Sequence, residues 1–261
     1  NAFLHLHAGD EKNVPEIDLE PQTEFTQIMW ATPNDILHRW SNHEIKVAPP
    51  VVTLLMEIER TLERKERNMR EAALDISQRL PGRRSILFAH GVEVVPVKTA
   101  TLPPADHTNC YLVGDPEGDF ILVDPASHLR EGMEDVAKAV ERHKGQLIAI
   151  MFTHSHGDHV GDIGLLREAF DVPIWGSEYT ARSVKCDRIL TDGETLELGN
   201  QAWQVLITPG HHPGHICLLG DAGLIAGDMV AGIGTILIPP HTGDMNVYME
   251  QLERLKRLKP H

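Results

Sequence analysis

The eleven residues from Phe152 to Asp162, FTHSHGDHVGD, hold three histidines and two aspartates. They follow directly on an apolar run, QLIAIMF. Imidazole and carboxylate gain little in a hydrophobic core and a great deal from a divalent cation. In extended backbone, residues two apart point the same way. His154 and His156 can therefore converge on one ion, and Asp158 and His159, after the bend at Gly157, can face a second ion nearby. Neutral imidazoles and carboxylates suit zinc best, with iron and manganese also compatible.

Two further stretches carry the same residue types. TPGHHPGH places His211, His212 and His215 after the apolar QVLI, and GLIAGDMV places Asp228 after another apolar run. Each polar cluster follows a strand-like segment, which is how a sheet scaffold gathers ligands along one rim. A single histidine at a strand end is ordinarily a satisfied surface or core residue, and Asp228 alone reads equally as a turn aspartate. Four metal-type residues within positions 154–159, in step with His211 and Asp228, fit that reading poorly.

The elements that must position these groups can be read from the hydrophobic pattern. VEVVPVK, NCYLVG and DFILVDP are short strands separated by Gly, Pro and Asp turns. REGMEDVAKAVERHKG predicts an amphipathic helix ending at Gly145, with Met133, Val136, Ala137 and Val140 inward. QLIAIMF is a buried strand, IGLLREAF a helix and VPIWG a strand, followed by strands in ETLELG, AWQVLITPG, HICLLG and GLIAGD. MNVYMEQLERLKRLKP closes with a helix. Strands in series with interposed helices predict an α/β protein built as a two-sheet sandwich with helices outside.

Residues 1–84 have a different texture. AFLHLH and EFTQIMW alternate like strands, and ATPNDILHRWSN reads as a helix entered through Thr-Pro. The long charged run from Val51 to Leu80 contains neither Gly nor Pro and predicts one or two helices. PGRR at 81–84 marks a boundary, giving a small α+β/helical region over 1–84 and a sandwich domain over 85–261.

With 261 residues the chain is long enough for a proper core. Its net charge of −14 disfavours a nucleic-acid backbone as partner. No run approaches the ~18 apolar residues of a membrane helix, and the first residues do not read as a signal peptide. Cys110, Cys186 and Cys217 form no CxxC pair, which reads as reduced, packed thiols in a cytoplasmic protein.

THSHGDH resembles the H-x-H-x-D-H motif of the metallo-β-lactamase superfamily. TNCYLVG and FILVDP are similar to its opening strands, TPGHHPGH to its third motif and AGD to its fourth. The resemblance spans about Val92 to His261. It implies an αββα metallo-β-lactamase sandwich with metals at one edge. It places His154, His156 and His211 in the first metal site, Asp158 and His159 in the second, and Asp228 between the two. It further implies that Asp124 supports the site without ligating and that His215 makes supporting hydrogen bonds. It assigns Asp158 the catalytic role of orienting the nucleophile and moving its proton. A last family histidine would follow the closing helix, where this sequence stops. The expectation is a well-formed first site and a weak second one, with His241 as a less favoured substitute ligand.

The segment EFTQIMWATPNDILHRWSNHEIKVAPPVVTLL resembles the C-terminal portion of Nudix hydrolases, without their diphosphate-binding box. The spacing after AGD is closest to the branch of β-lactamase-like protein 2, whose members cut single-stranded RNA. The function implied is a metal-dependent hydrolase with one or two zinc ions, acting on an ester, thioester, amide or phosphodiester. The substrate, small molecule or RNA, stays open, and a homodimer is compatible. Alternatives are a mononuclear iron persulfide dioxygenase, using residues 154, 211 and 228, and a catalytically silent fragment.

Overall fold

Phe120, Ile121, Leu122 and Val123 are all apolar, so a strand made from them must be covered on both faces. The computed structural model, which describes residues 29–78, 85–232 and 234–260, meets that demand with stacked layers. Helices α1 (Pro33–Ser41), α2 (Pro49–Arg64) and α3 (Met69–Gln78) come first. Strands β1 (Ile86–Ala89), β2 (Val92–Lys98), β3 (His107–Gly114) and β4 (Asp119–Val123) follow, then α4 (Arg130–Arg142) and β5 (Gln146–Met151). The short α5 (Gly157–Val160), α6 (Ile163–Ala169), β6 (Ile174–Gly176) and β7 (Arg188–Ile189) complete the first half of the sandwich. The second half is β8 (Thr195–Leu198), β9 (Gln201–Ile207), β10 (Ile216–Gly220), β11 (Gly223–Ile225) and α7 (Met245–Leu258).

Seven strands form one sheet in the order β1 to β7, and four form a second in the order β11-β10-β9-β8. The first sheet is antiparallel from β1 to β4 and parallel from β4 to β7. Side-chain alternation assigns the layers. Ile121 and Val123 of β4, with Met151 of β5, face Trp203, Val205 and Ile216 of the second sheet. Phe120, Leu122 and Ile150 face outward onto Met133, Val136 and Ala139 of α4 and Leu166 of α6. On the far side, Leu206 and Cys217 pack against Leu255 of α7. The layering is helix, sheet, sheet, helix, the αββα sandwich expected from the sequence.

Several local expectations are refined. The charged run is two helices, broken where Glu66 and Arg67 take left-handed φ of 48° and 64°. α4 stops at Arg142, so Gly145 is not its cap. Gly145 answers a close approach instead, because a Cβ there would lie 1.8 Å from the Gly118 carbonyl oxygen. Ala139 is fully buried on α4, whereas the predicted Ala137 is only partly covered. Strands β1 and β7 had no signal in the pattern. Pro33–His261 form one compact unit that includes α1, α2 and α3. The strand candidate AFLHLH and the PGRR boundary lie outside the described residues, as does all of EFTQIMW except Met29 and Trp30. Cys110, Cys186 and Cys217 are free thiols, the first and last buried. Among the described residues no helix is long and apolar enough to cross a membrane.

Candidate metal centre

The first ligands come from the carboxyl end of β5. The chain leaves the buried strand through Phe152 and Thr153, and His154 follows, itself fully buried. His156 occupies the position before α5 in extended conformation, with φ −69° and ψ 148°. His159 lies within α5 and is buried. His211 follows β9, held by Gly210 at φ 132°. A Cβ at Gly210 would lie 2.4 Å from the Tyr248 Cα, so only glycine lets α7 approach here. Asp228 sits in the single 3₁₀ turn after β11.

These segments converge. His154 Nε2 and His156 Nδ1 are 2.9 Å apart, and His211 Nε2 lies 3.2 Å from the former and 2.9 Å from the latter. His159 Nε2 is 3.1 Å from Asp228 Oδ1, and His211 Nε2 is 3.3 Å from Asp228 Oδ2. Two groups of donor atoms result: His154, His156 and His211, and His154, His159 and Asp228.

The surrounding hydrogen bonds assign the tautomers. His211 Nδ1 is 2.6 Å from the Leu237 carbonyl oxygen, which can only accept, so Nδ1 carries the hydrogen and Nε2 the lone pair. The Thr153 hydroxyl donates to Asp124 Oδ2 at 2.6 Å and so accepts from His154 Nδ1 at 3.0 Å. His154 Nε2 is therefore also a lone pair. Two lone pairs 3.2 Å apart repel each other unless a cation lies between them. Protonation is a poor substitute, since burial, with His159, His215, His156 and His211 close by, drives His154 well below the ordinary imidazole range. Burial and His211 likewise lower His156. The donor set fits a divalent metal ion.

A second tier holds these ligands. Asp124, at φ 50°, accepts the Thr153 N–H at 2.7 Å and faces His159 Nδ1 at 2.8 Å. It is thus a left-handed residue after β4 whose carboxylate bonds both Thr153 and His159. Burial opposes charge on His159, but Asp124 and Asp228 outweigh it and raise its pKa to about 10. Asp228 is held down at about 2: burial opposes this, and the His159 hydrogen bond with the nearby imidazoles overcomes it. His215 accepts the Asp228 N–H at 3.0 Å through Nε2, and its Nδ1 faces the Thr208 hydroxyl at 2.8 Å. Complete burial keeps this ring neutral, with a pKa of about 3. His212 bonds Ser155 Oγ at 3.0 Å and accepts the Gly214 N–H at 3.1 Å, away from the donor groups. Its pKa falls to about 4 through burial, His156 and His211.

Asp158, expected beside His159 and Asp228, lines the same cleft, but its carboxylate belongs to neither donor group. His154 takes its place in the second group. His241 is exposed and outside the cleft lining. Sequence reasoning missed Thr153 and the Leu237 carbonyl. The first has a signal in retrospect, a buried hydroxyl directly before the ligand run; a backbone acceptor has none.

The sequence profile of the Metallo-beta-lactamase superfamily matches residues 103–261. An uncharacterized protein of Aquifex aeolicus is 33% identical over 160 residues, covering 53% of this chain and 70% of its own. A hydroxyacylglutathione hydrolase of Bdellovibrio bacteriovorus is 29% identical over 163 residues, covering 59% of this chain and 64% of its own. The chain spans about half the length of other curated relatives of that name. The solved structure of TTHA1623 in a di-iron-bound form superimposes with a TM-score of 0.50 at 29% identity, over 63% of this chain and 87% of its own.

Proposed function

Because the chain belongs to the metallo-beta-lactamase superfamily, we propose that it is a metal-dependent hydrolase reacting at the cradle of His154, His156, His159, His211 and Asp228. One observation carries the reading: the His154 and His211 lone pairs face each other at 3.2 Å while their outer nitrogens are committed to Thr153 and Leu237. Zinc suits this donor set first and iron second. His154 and His211 would hold an ion through Nε2 and His156 through Nδ1. His159 and Asp228 would hold a second ion, with the His159 Nε2 proton displaced in exchange.

A bound divalent ion supplies Lewis acidity, bringing the pKa of water to about 7 and polarising a carbonyl or phosphoryl oxygen. The chain's own residues do the rest. Asp124 and Thr153 keep His159 and His154 turned inward. Asp158, which lines the cleft outside both donor groups, would take the nucleophile's proton and pass it to the leaving group. The substrate class is an ester, thioester, amide or phosphodiester. Thioesters come first, since a similar relative is named a hydroxyacylglutathione hydrolase.

The test is elemental analysis of the purified chain, paired with thioester hydrolysis by wild type and His156→Ala. The reading expects one or two zinc or iron ions per chain and activity that His156→Ala loses without a change in circular dichroism. Absence of any transition metal after zinc and iron supplementation would sink it. A second reading, the mononuclear iron persulfide dioxygenase, draws support from the meeting of His154, His211 and Asp228. Oxygen consumption on glutathione persulfide by iron-loaded protein, without thioester hydrolysis, would favour it.

A further inference from the structure

The cleft over the metal cradle has a volume of about 970 Å³. Two loops wall it: residues 99–106, between β2 and β3, and residues 230–232 with 234–239, ahead of α7. The loops approach closely, since a Cβ at Gly234 would lie 3.1 Å from Pro104 Cδ. Leu102 on one wall, with Val230 and Leu237 on the other, line the cleft yet stay 55%, 59% and 52% exposed. Large apolar side chains left wet around a concave site mark a place where an apolar ligand displaces water.

Beyond the histidines, the charged side chains of the lining are carboxylates. Asp106, Asp124, Asp158 and Asp228 contribute carboxylates, and among the described residues no lysine or arginine lines the cleft. Away from the cradle, a carboxylate, a phosphate or a polynucleotide entering here would find no lysine or arginine to pair with. An uncharged ligand needs no such partner.

We propose that the cleft selects an uncharged acyl ester or thioester with an apolar chain. The chain lies between Leu102 and Pro104 on one side and Val230 and Leu237 on the other. The scissile carbonyl then faces the cradle. Hydrolysis breaks the acyl carbon–sulfur or carbon–oxygen bond: the oxygen of water joins the acyl carbon and its protons go to the departing thiol or alcohol and to solvent. The reaction rests on the hydrolase reading; the binding preference does not.

Non-hydrolysable thioethers test the binding by isothermal titration calorimetry on the metal-loaded chain. Along S-methyl to S-octyl N-acetylcysteamine, a neutral carrier, affinity should rise about fourfold per methylene until the walls are filled. S-Alkyl glutathiones of equal chain length should bind no better. The double variant Leu102→Ser, Val230→Ser, altered only at exposed positions, should flatten the series. A flat wild-type series would overturn the proposal, as would tighter binding of S-methylglutathione or a short RNA than of S-octyl-N-acetylcysteamine. If the series rises but the matching thioesters are not hydrolysed with zinc or iron present, the binding preference stands and the hydrolase reading falls.

Discussion

Thr153 gives Asp124 two hydrogen bonds, one from its backbone N–H at 2.7 Å and one from its hydroxyl at 2.6 Å. The same hydroxyl accepts from His154 Nδ1, and the same carboxylate faces His159 Nδ1. One threonine therefore sets the direction of a histidine in each donor group.

Thr153→Val keeps the shape and removes the hydroxyl. Metal affinity should fall by about 10–100-fold, with the fold intact, because His154 loses its acceptor and Asp124, which faces His159, loses one of its two bonds from residue 153. Chelator competition measures this. Thr153→Ser should restore most of it, which a purely packing role for Thr153 would not allow.

His211 and His241 make a matched pair for a loss experiment. His211→Ala should lower bound metal to well under one ion per chain and abolish hydrolysis. His241→Ala, at an exposed position outside the cleft, should leave both unchanged. Metal loss on His241→Ala would show that the loop before α7 reaches the ion.

Glu93 offers a pH test away from the metal. It is buried, 2.9 Å from His143 Nε2 and 2.8 Å from Arg142. Burial opposes its charge, but hydrogen bonds with His143, Ser85 and Arg142 bring its pKa from 4.5 to about 2. Because the folded value is the lower one, the stabilisation is complete above pH 4.5 and disappears as pH falls toward 2. Glu93→Gln should cost at most about 3 kcal/mol near neutrality. The gap to wild type should narrow through that acid window in urea titrations; a constant gap would exclude this origin.

Gly210→Ala should be among the most damaging single-methyl additions. Its Cβ would meet the Tyr248 backbone at 2.4 Å, in a φ of 132° that alanine avoids. The start of α7 must then move, taking His211 with it. The expected cost is about 1–3 kcal/mol, read as a lowered melting temperature together with weakened metal binding.

The convergence of His154, His156, His211 and Asp228 was legible because polar groups ending apolar strands have few alternative explanations. The αββα layering was legible for a related reason: Phe120 to Val123 is apolar at every position, while β9 carries its apolar residues on a register that buries Trp203 and Val205. The break between α2 and α3 was hidden, since Glu66 and Arg67 read as helix formers and only their φ angles reveal the turn. Gly145 was misread as a cap because spacing cannot show that Gly118 passes beside it. Asp158 shares a motif with His159 and lines the same cleft, outside both donor groups.

The donors of the cradle stand at the ends of β5, β9 and β11, which belong to two different sheets. They meet only once those sheets have stacked, so a cation that engaged all of them would favour the stacked state over the unfolded chain.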